Sequence, residues 1–208
     1  MKPWIHTFSG QAVDLDNPLP DQIKFVDIAH ALSRLQRWCG HSWRPFSVAE
    51  HSVVVAQLVK DMHPWTMDPQ EMVLAALFHD AHEAYTNDVS SPLKTLLPEL
   101  RAIQSRLQTA IESSLGIPKL SKSHSVITAD LMSLSLERDQ LLAPCVREWG
   151  WDPPKPHTQI KLQCLDPCEA YDLFVDWCAD FGVFDAKKIV DARKEPVEID
   201  LPIPYVLG

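Results

Sequence analysis

Residues 72–94 read M-V-L-A-A-L-F-H-D-A-H-E-A-Y-T-N-D-V-S-S-P-L-K. Met72 to Phe78 are apolar without a break, which marks a segment entering the protein interior or the wall of a cleft cut into it. His79, Asp80, His82, Glu83 and Asp88 then follow within ten positions. Burying such groups without partners is costly, so the cluster is either a solvated helix end or a ligand set for something strongly positive. On an α-helix Glu83 would lie one turn from both His79 and Asp80, so the spacing places all three on one side of one helix.

Two further residues share this setting. His51 sits among Val48, Val53, Val54, Val55 and Leu58, where a lone histidine is more often a hydrogen-bonded core residue than a ligand. Asp130 interrupts the apolar run V-I-T-A-D-L-M-S-L, residues 126–134, where an aspartate without a partner would lose its charge or destabilise its helix. Asp139 is its rival, but the polar context E-R-D-Q, residues 137–140, reads as a solvated face and favours Asp130. Taken jointly, His51, His79, Asp80 and Asp130 on three apolar helices form a mixed nitrogen and oxygen shell that suits Mn, Fe, Co, Ni or Zn. The zinc-protease spacing does not fit, because it places its histidines four apart and His79 and His82 are three apart.

Helix signals dominate the rest of the chain. Capping boxes are expected at Ser47-Val48-Ala49-Glu50, Asp68-Pro69-Gln70-Glu71 and Asp166-Pro167-Cys168-Glu169, the last two with proline at the first helical position. Leu100, Ile103, Leu107, Ile111 and Leu115 predict an amphipathic helix closed by Gly116, and similar spacing predicts helices over 21–36 and 125–143. Strand signals are confined to a short hairpin over 4–16 around Ser9-Gly10 and an extended, proline-rich tail from Glu195. Residues 149–156, W-G-W-D-P-P-K-P, read as a loop. The expectation is a mostly α protein, with residues 1–208 forming one domain.

Bulk properties narrow the function classes. A formal charge of −9 argues against nucleic acid as a partner, which needs a basic face. No apolar run approaches the ~20 residues needed to span a bilayer, and the first ten residues lack a signal-peptide core, so a cytoplasmic protein without a membrane partner is expected. Five cysteines without a paired framework read as reduced thiols, with Cys164 and Cys168 the one pair spaced to share a metal.

His51, then His79-Asp80, then Asp130 is a pattern that resembles the HD-domain phosphohydrolases. The likeness extends to D-I-A-H-A-L-S-R-L-Q-R-W-C-G-H (27–41), S-V-A-E-H-S-V (47–53) and H-D-A-H-E-A-Y-T-N-D-V-S-S-P-L-K (79–94). These stretches look like the bacterial and phage branch containing the 5'-deoxynucleotidases and the deoxynucleoside triphosphate triphosphohydrolases. The resemblance covers about residues 5–180 and leaves a tail of about 183–208 unmatched. It implies an HD-type helical bundle that assembles as a homo-oligomer, a dimer by the same resemblance.

By the same resemblance, His51, His79, Asp80 and Asp130 would hold one divalent transition metal (Co, Mn, Zn, Ni or Fe, with Mg an alternative). Glu83 and Asp88 would be the acid/base carboxylates, Arg37 would contact the phosphate, Trp38 would lie near the sugar, and Lys94 would be a further phosphate contact. The implied reaction is phosphate release from deoxynucleoside 5'-monophosphates. The alternatives are triphosphate release from a deoxynucleoside triphosphate such as dATP and, more remotely, a regulator that binds nucleotides without turnover. His41, His82 and Arg44 read equally as supports of the site or as surface residues.

Overall fold

The computed structural model describes residues 3–63 and 70–193. Its helices are α1 (Phe25–Leu32), α2 (Val48–Met62), α3 (Gln70–Leu77), α4 (Glu83–Thr86), α5 (Ser91–Lys94), α6 (Pro98–Leu115), α7 (His124–Leu141), α8 (Pro167–Asp180) and α9 (Phe184–Arg193). The sheet among these residues is the N-terminal hairpin, β1 (Trp4–His6) against β2 (Ala12–Asp14), with Trp4 opposite Asp14. The fold is therefore mostly α, as the sequence predicts.

α2 is the central helix and packs against α3, α7 and α8. Val48, Ala49, Val55, Ala56 and Val59 are all buried, so the helix has little face left for solvent. Its start follows the expected capping box: Ser47 Oγ accepts from Glu50 N at 3.1 Å, and Glu50 Oε2 accepts from Ser47 N at 3.2 Å. Asp166 and Glu169 cap α8 in the same way. The box expected at residues 68–71 begins outside the described residues, as does the tail from Glu195.

Three rings fix the approach to the His-Asp pair. Phe25 of α1, Phe78 after α3 and Phe174 of α8 are fully buried, with centroids 5.8–6.3 Å apart. Each ring removed from water contributes roughly 1.5–3 kcal/mol, so Phe78 pins the backbone one residue before His79. Asp27 of α1 anchors the hairpin, accepting from Thr7 Oγ1, Ser9 N and Ser9 Oγ at 2.6–2.8 Å.

Several expected boundaries move. The helix expected over 21–36 is shorter: Pro20–Gln22 form a 3-10 turn, α1 ends at Leu32, and Arg37–Gly40 form a second tight turn. α9 occupies chain that sequence reading left as an unmatched tail. The larger correction concerns the opening stretch. α3 stops at Leu77, and Phe78 to His82 form a tight turn before α4, with Ala81 N donating to Phe78 O and Glu83 N to Asp80 O. His79, Asp80 and Glu83 do not share one face of a continuous helix. The i→i+3 bonds tighten the chain there, fanning successive side chains around the turn.

Candidate metal centre

His51 enters from α2, His79 and Asp80 from the turn after α3, and Asp130 from α7. His51 Nε2 lies 3.3 Å from His79 Nε2, 3.7 Å from Asp80 Oδ2 and 3.2 Å from Asp130 Oδ1. His79 Nε2 lies 3.2 Å from Asp80 Oδ2 and 3.9 Å from Asp130 Oδ1. His51 is fully buried, while the Asp130 side chain is 42% exposed and opens the cluster to solvent.

The ring tautomers follow from what each Nδ1 touches. His51 Nδ1 faces Glu137 Oε1 at 2.8 Å and His79 Nδ1 faces the Ala76 carbonyl at 2.7 Å; ionised carboxylate and carbonyl oxygens only accept, so each Nδ1 carries the proton. Two neutral rings then aim Nε2 lone pairs at each other, with carboxylate oxygens alongside. Four electron-pair donors gathered this closely need a cation or a proton between them. The charges respond to this crowding. Burial opposes protonation of His79, yet the Asp80 carboxylate raises its pKa to about 9. Burial likewise opposes ionisation of Asp80, but the His79 ring holds it well below the usual carboxylate range. The donor set fits a divalent transition metal, with each imidazole fixed through its other nitrogen in the manner of metal-binding histidines.

Glu137 is the residue that sequence reading missed. It was assigned to a solvated face, but it is fully buried and accepts from His51 Nδ1 at 2.8 Å, Ser133 Oγ at 3.1 Å, Arg37 Nε at 2.9 Å and Trp38 Nε1 at 2.7 Å. Burial pushes its pKa up, but Arg37 and His51 outweigh that and bring it to about 2. The signal was present: Ser133 and Glu137 follow Asp130 at helical steps of three and seven, on the face that reaches the cluster. Asp139 does belong to the polar face, pairing with Arg138 at 3.2 Å and Lys155 at 3.4 Å.

Glu137 also fastens the turn carrying Arg37 and Trp38. Trp38 and Cys39 have φ of 61° and 52°, a left-handed backbone that costs such residues roughly 1–3 kcal/mol each and persists where surrounding bonds hold it. Arg37 Nη1 reaches to 4.0 Å from Asp80 Oδ2, which sets the guanidinium beside the cluster. Trp38, with His41, Arg138, Trp149 and Trp151, lines a cavity of about 1380 Å³.

Glu83 is almost fully buried. Lys94 Nζ donates to its Oε1 at 2.9 Å, while Oε2 has no hydrogen-bond partner. Burial, and then the Asp80 charge, raise its pKa to about 8 against the pull of Lys94. Asp80, His82 and Glu83 also have ligand atoms close enough to form a second metal-competent group. After α4, Asn87 turns the chain at φ 62°, bringing Asp88 into the field of Arg37, Asp80 and Lys94; burial raises the Asp88 pKa first, and Arg37 opposes it. His82 Nδ1 lies 3.3 Å from Gln108 Oε1 on α6, whereas Arg44 donates to the Gln163 carbonyl, away from the cluster. Neither Cys164 nor Cys168 joins a metal-competent group among the described residues, and the described cysteines are free. No described helix is long and apolar enough to cross a membrane.

The family described as 5'-deoxynucleotidase YfbR-like matches residues 24–141, which include every residue of the cluster together with Arg37, Trp38, Glu83, Asp88, Lys94 and Glu137. The uncharacterized protein YfdR of Escherichia coli (strain K12) is 36% identical over 174 residues, covering 83% of this chain and 92% of that protein. An uncharacterized protein of Rhodobacter capsulatus is 32% identical over 146 residues, covering 67% of this chain and 74% of its own length. The 5'-deoxynucleotidase VP0926 of Vibrio parahaemolyticus is 33% identical over 89 residues, covering 39% of this chain and 46% of that enzyme.

Proposed function

The chain belongs to the YfbR-like 5'-deoxynucleotidase family of metal-dependent HD-domain hydrolases, and on that premise we propose that it releases phosphate from deoxynucleoside 5'-monophosphates. The observation that carries this reading is the convergence of four lone-pair donors beside a largely buried arginine, a charge partner for phosphate held by Glu137.

In this reading His51, His79, Asp80 and Asp130 hold one divalent ion, with Co, Mn, Zn, Ni or Fe suited to the donors and Mg a further candidate. When bound, that ion supplies Lewis acidity towards a phosphoryl oxygen and acidity to a water. The remaining work falls to the chain. Arg37, with Nε committed to Glu137, offers its terminal nitrogens to the other phosphate oxygens. Glu83 Oε2, buried and unpartnered, accepts the proton of the attacking water, while Lys94 fixes the carboxylate through Oε1. Asp88, its pKa raised by burial, holds a proton for the departing 5' oxygen. Trp38 presents its ring to the sugar, where a 2'-hydroxyl would be desolvated without a partner. We further propose a cytoplasmic homodimer of single-domain chains.

The reaction is tested with a panel of deoxy- and ribonucleotides assayed for phosphate, pyrophosphate and triphosphate release with each metal added separately. Phosphate and deoxynucleoside in equal amounts from the monophosphates support the proposal. Triphosphate release from dATP, with the monophosphates inert, would assign the chain to the triphosphohydrolase reaction instead.

A further inference from the structure

The cavity beside Trp38 has a wall rich in tryptophan, and most of that wall lies beyond the family match, which ends at residue 141. Three of the chain's seven tryptophans, Trp38, Trp149 and Trp151, line it. Trp38 and Trp149 have ring centroids 6.0 Å apart, inclined at 45°, and Gly150, at φ 76°, turns the chain between Trp149 and Trp151. Trp38 and Trp149 are half-buried, and Trp151 is 50% exposed. The Trp149 ring is nonetheless held in place. Arg138 lies over it at 5.2 Å, and Arg138 is itself fixed by Asp139 at 3.2 Å and Asp152 at 3.0 Å.

A continuous set of contacts joins this wall to the metal centre. Arg37 stands 4.0 Å from Asp80 and shares Glu137 Oε2 with Trp38, whose ring meets Trp149. Arg138 follows Glu137 on α7, and Ser90, two residues after Asp88, lines the same cavity. A phosphate at Arg37 with its sugar at Trp38 therefore directs the remaining part of a nucleotide towards Trp149 and Trp151. Large rings that face a cavity instead of packing into the core forgo the gain of burial, and they are found where a ligand covers them. Arg138, Asp139 and Asp152 direct their charges at one another, so the wall offers flat faces more than hydrogen-bonding edges. A flat heterocycle suits such a wall, since every nucleobase has a face to stack.

We propose that Trp149 and Trp151 form a nucleobase subsite, in which the base of the substrate stacks by its face on a wall set by the 143–152 segment. The proposal rests on the phosphohydrolase reading for the positions of phosphate and sugar. It goes beyond that reading by naming the residues that hold the base, which neither the metal centre nor Arg37 and Trp38 supply.

The test compares wild type with Trp149→Ala/Trp151→Ala and with Trp149→Phe/Trp151→Phe, which keeps two rings. The metal-loaded proteins are assayed on dAMP and on deoxyribose 5-phosphate, which lacks a base, and are titrated calorimetrically with deoxyadenosine, which lacks the phosphate. In the alanine variant, KM for dAMP is expected to rise about five- to a hundredfold, while KM for deoxyribose 5-phosphate changes less than about twofold. Deoxyadenosine binding is expected to be lost with the alanines and kept with the phenylalanines. The proposal is overturned if the alanine variant keeps the wild-type KM for dAMP, if both substrates weaken equally, or if the wild type does not bind deoxyadenosine. Should the wild type hydrolyse neither phosphate ester, deoxyadenosine binding that follows the rings removes the nucleotidase reaction and leaves the subsite.

Discussion

Replacing Glu137 by Gln keeps the shape of the side chain and removes its charge, at a position that touches no substrate in the proposed reaction. The buried carboxylate accepts four bonds, two at Oε1 from His51 and Ser133 and two at Oε2 from Arg37 and Trp38. An amide can satisfy one of these sides; on the other, its NH₂ group meets N–H donors. Removing one partner of a buried ion pair costs ~3–5 kcal/mol, and because Gln keeps one accepting oxygen, the lower end, about 3 kcal/mol, is expected. His51 also loses the acceptor that fixes its tautomer, and such losses lower metal affinity by about 10–100-fold. Urea denaturation in the presence of chelator isolates the stability term, since bound metal would itself raise the midpoint. Competition with a chromophoric chelator then measures metal affinity, and KM for the nucleotide is expected to rise as Arg37 loses its anchor. An unchanged urea midpoint together with wild-type metal affinity would refute the role given to Glu137.

Glu83→Gln is expected to retain the metal while turnover falls by ~100-fold or more, measured by elemental analysis beside the rate of phosphate release; parallel losses of both would make Glu83 a ligand. Wild-type protein is expected to prefer a deoxy over a matched ribo substrate by about ten- to a hundredfold in kcat/KM, with Trp38→Ala narrowing the gap and Arg37→Ala weakening both forms alike. Equal kcat/KM of the wild type on the two forms would remove the sugar role of Trp38. Phe78→Ala should cost ~3–5 kcal/mol by emptying the Phe25–Phe174 contact, read as a lower thermal midpoint, and a midpoint equal to wild type would show that the ring does not anchor the His79 turn.

The helical class was legible because the amphipathic spacing from Leu100 to Leu115 and the Ser47 and Asp166 boxes are local signals, and local hydrogen bonds fulfil them. The cluster was legible because charged and imidazole groups stood inside apolar runs. The turn at Phe78–His82 was not, since nothing in A-L-F-H-D-A-H-E breaks a helix; packing of Phe78 and the i→i+3 bonds decide it. Glu137 was misread because its neighbours Arg138 and Asp139 are polar and do face outward, while burial depends on helical phase rather than on the immediate sequence. The left-handed turn at Trp38 and Cys39 was equally hidden, because the bonds that hold it come from α7, about a hundred residues away.

A metal count beside a rate tests the four-ligand centre. Purified wild-type protein and Asp130→Ala are analysed for bound divalent metal, and phosphate release from a deoxynucleoside 5'-monophosphate is followed in the same samples. The wild type is expected to hold a single divalent ion per chain and to release phosphate steadily, with both lost in Asp130→Ala. Full occupancy and normal release in that variant would contradict the four-ligand centre and turn attention to Asp139.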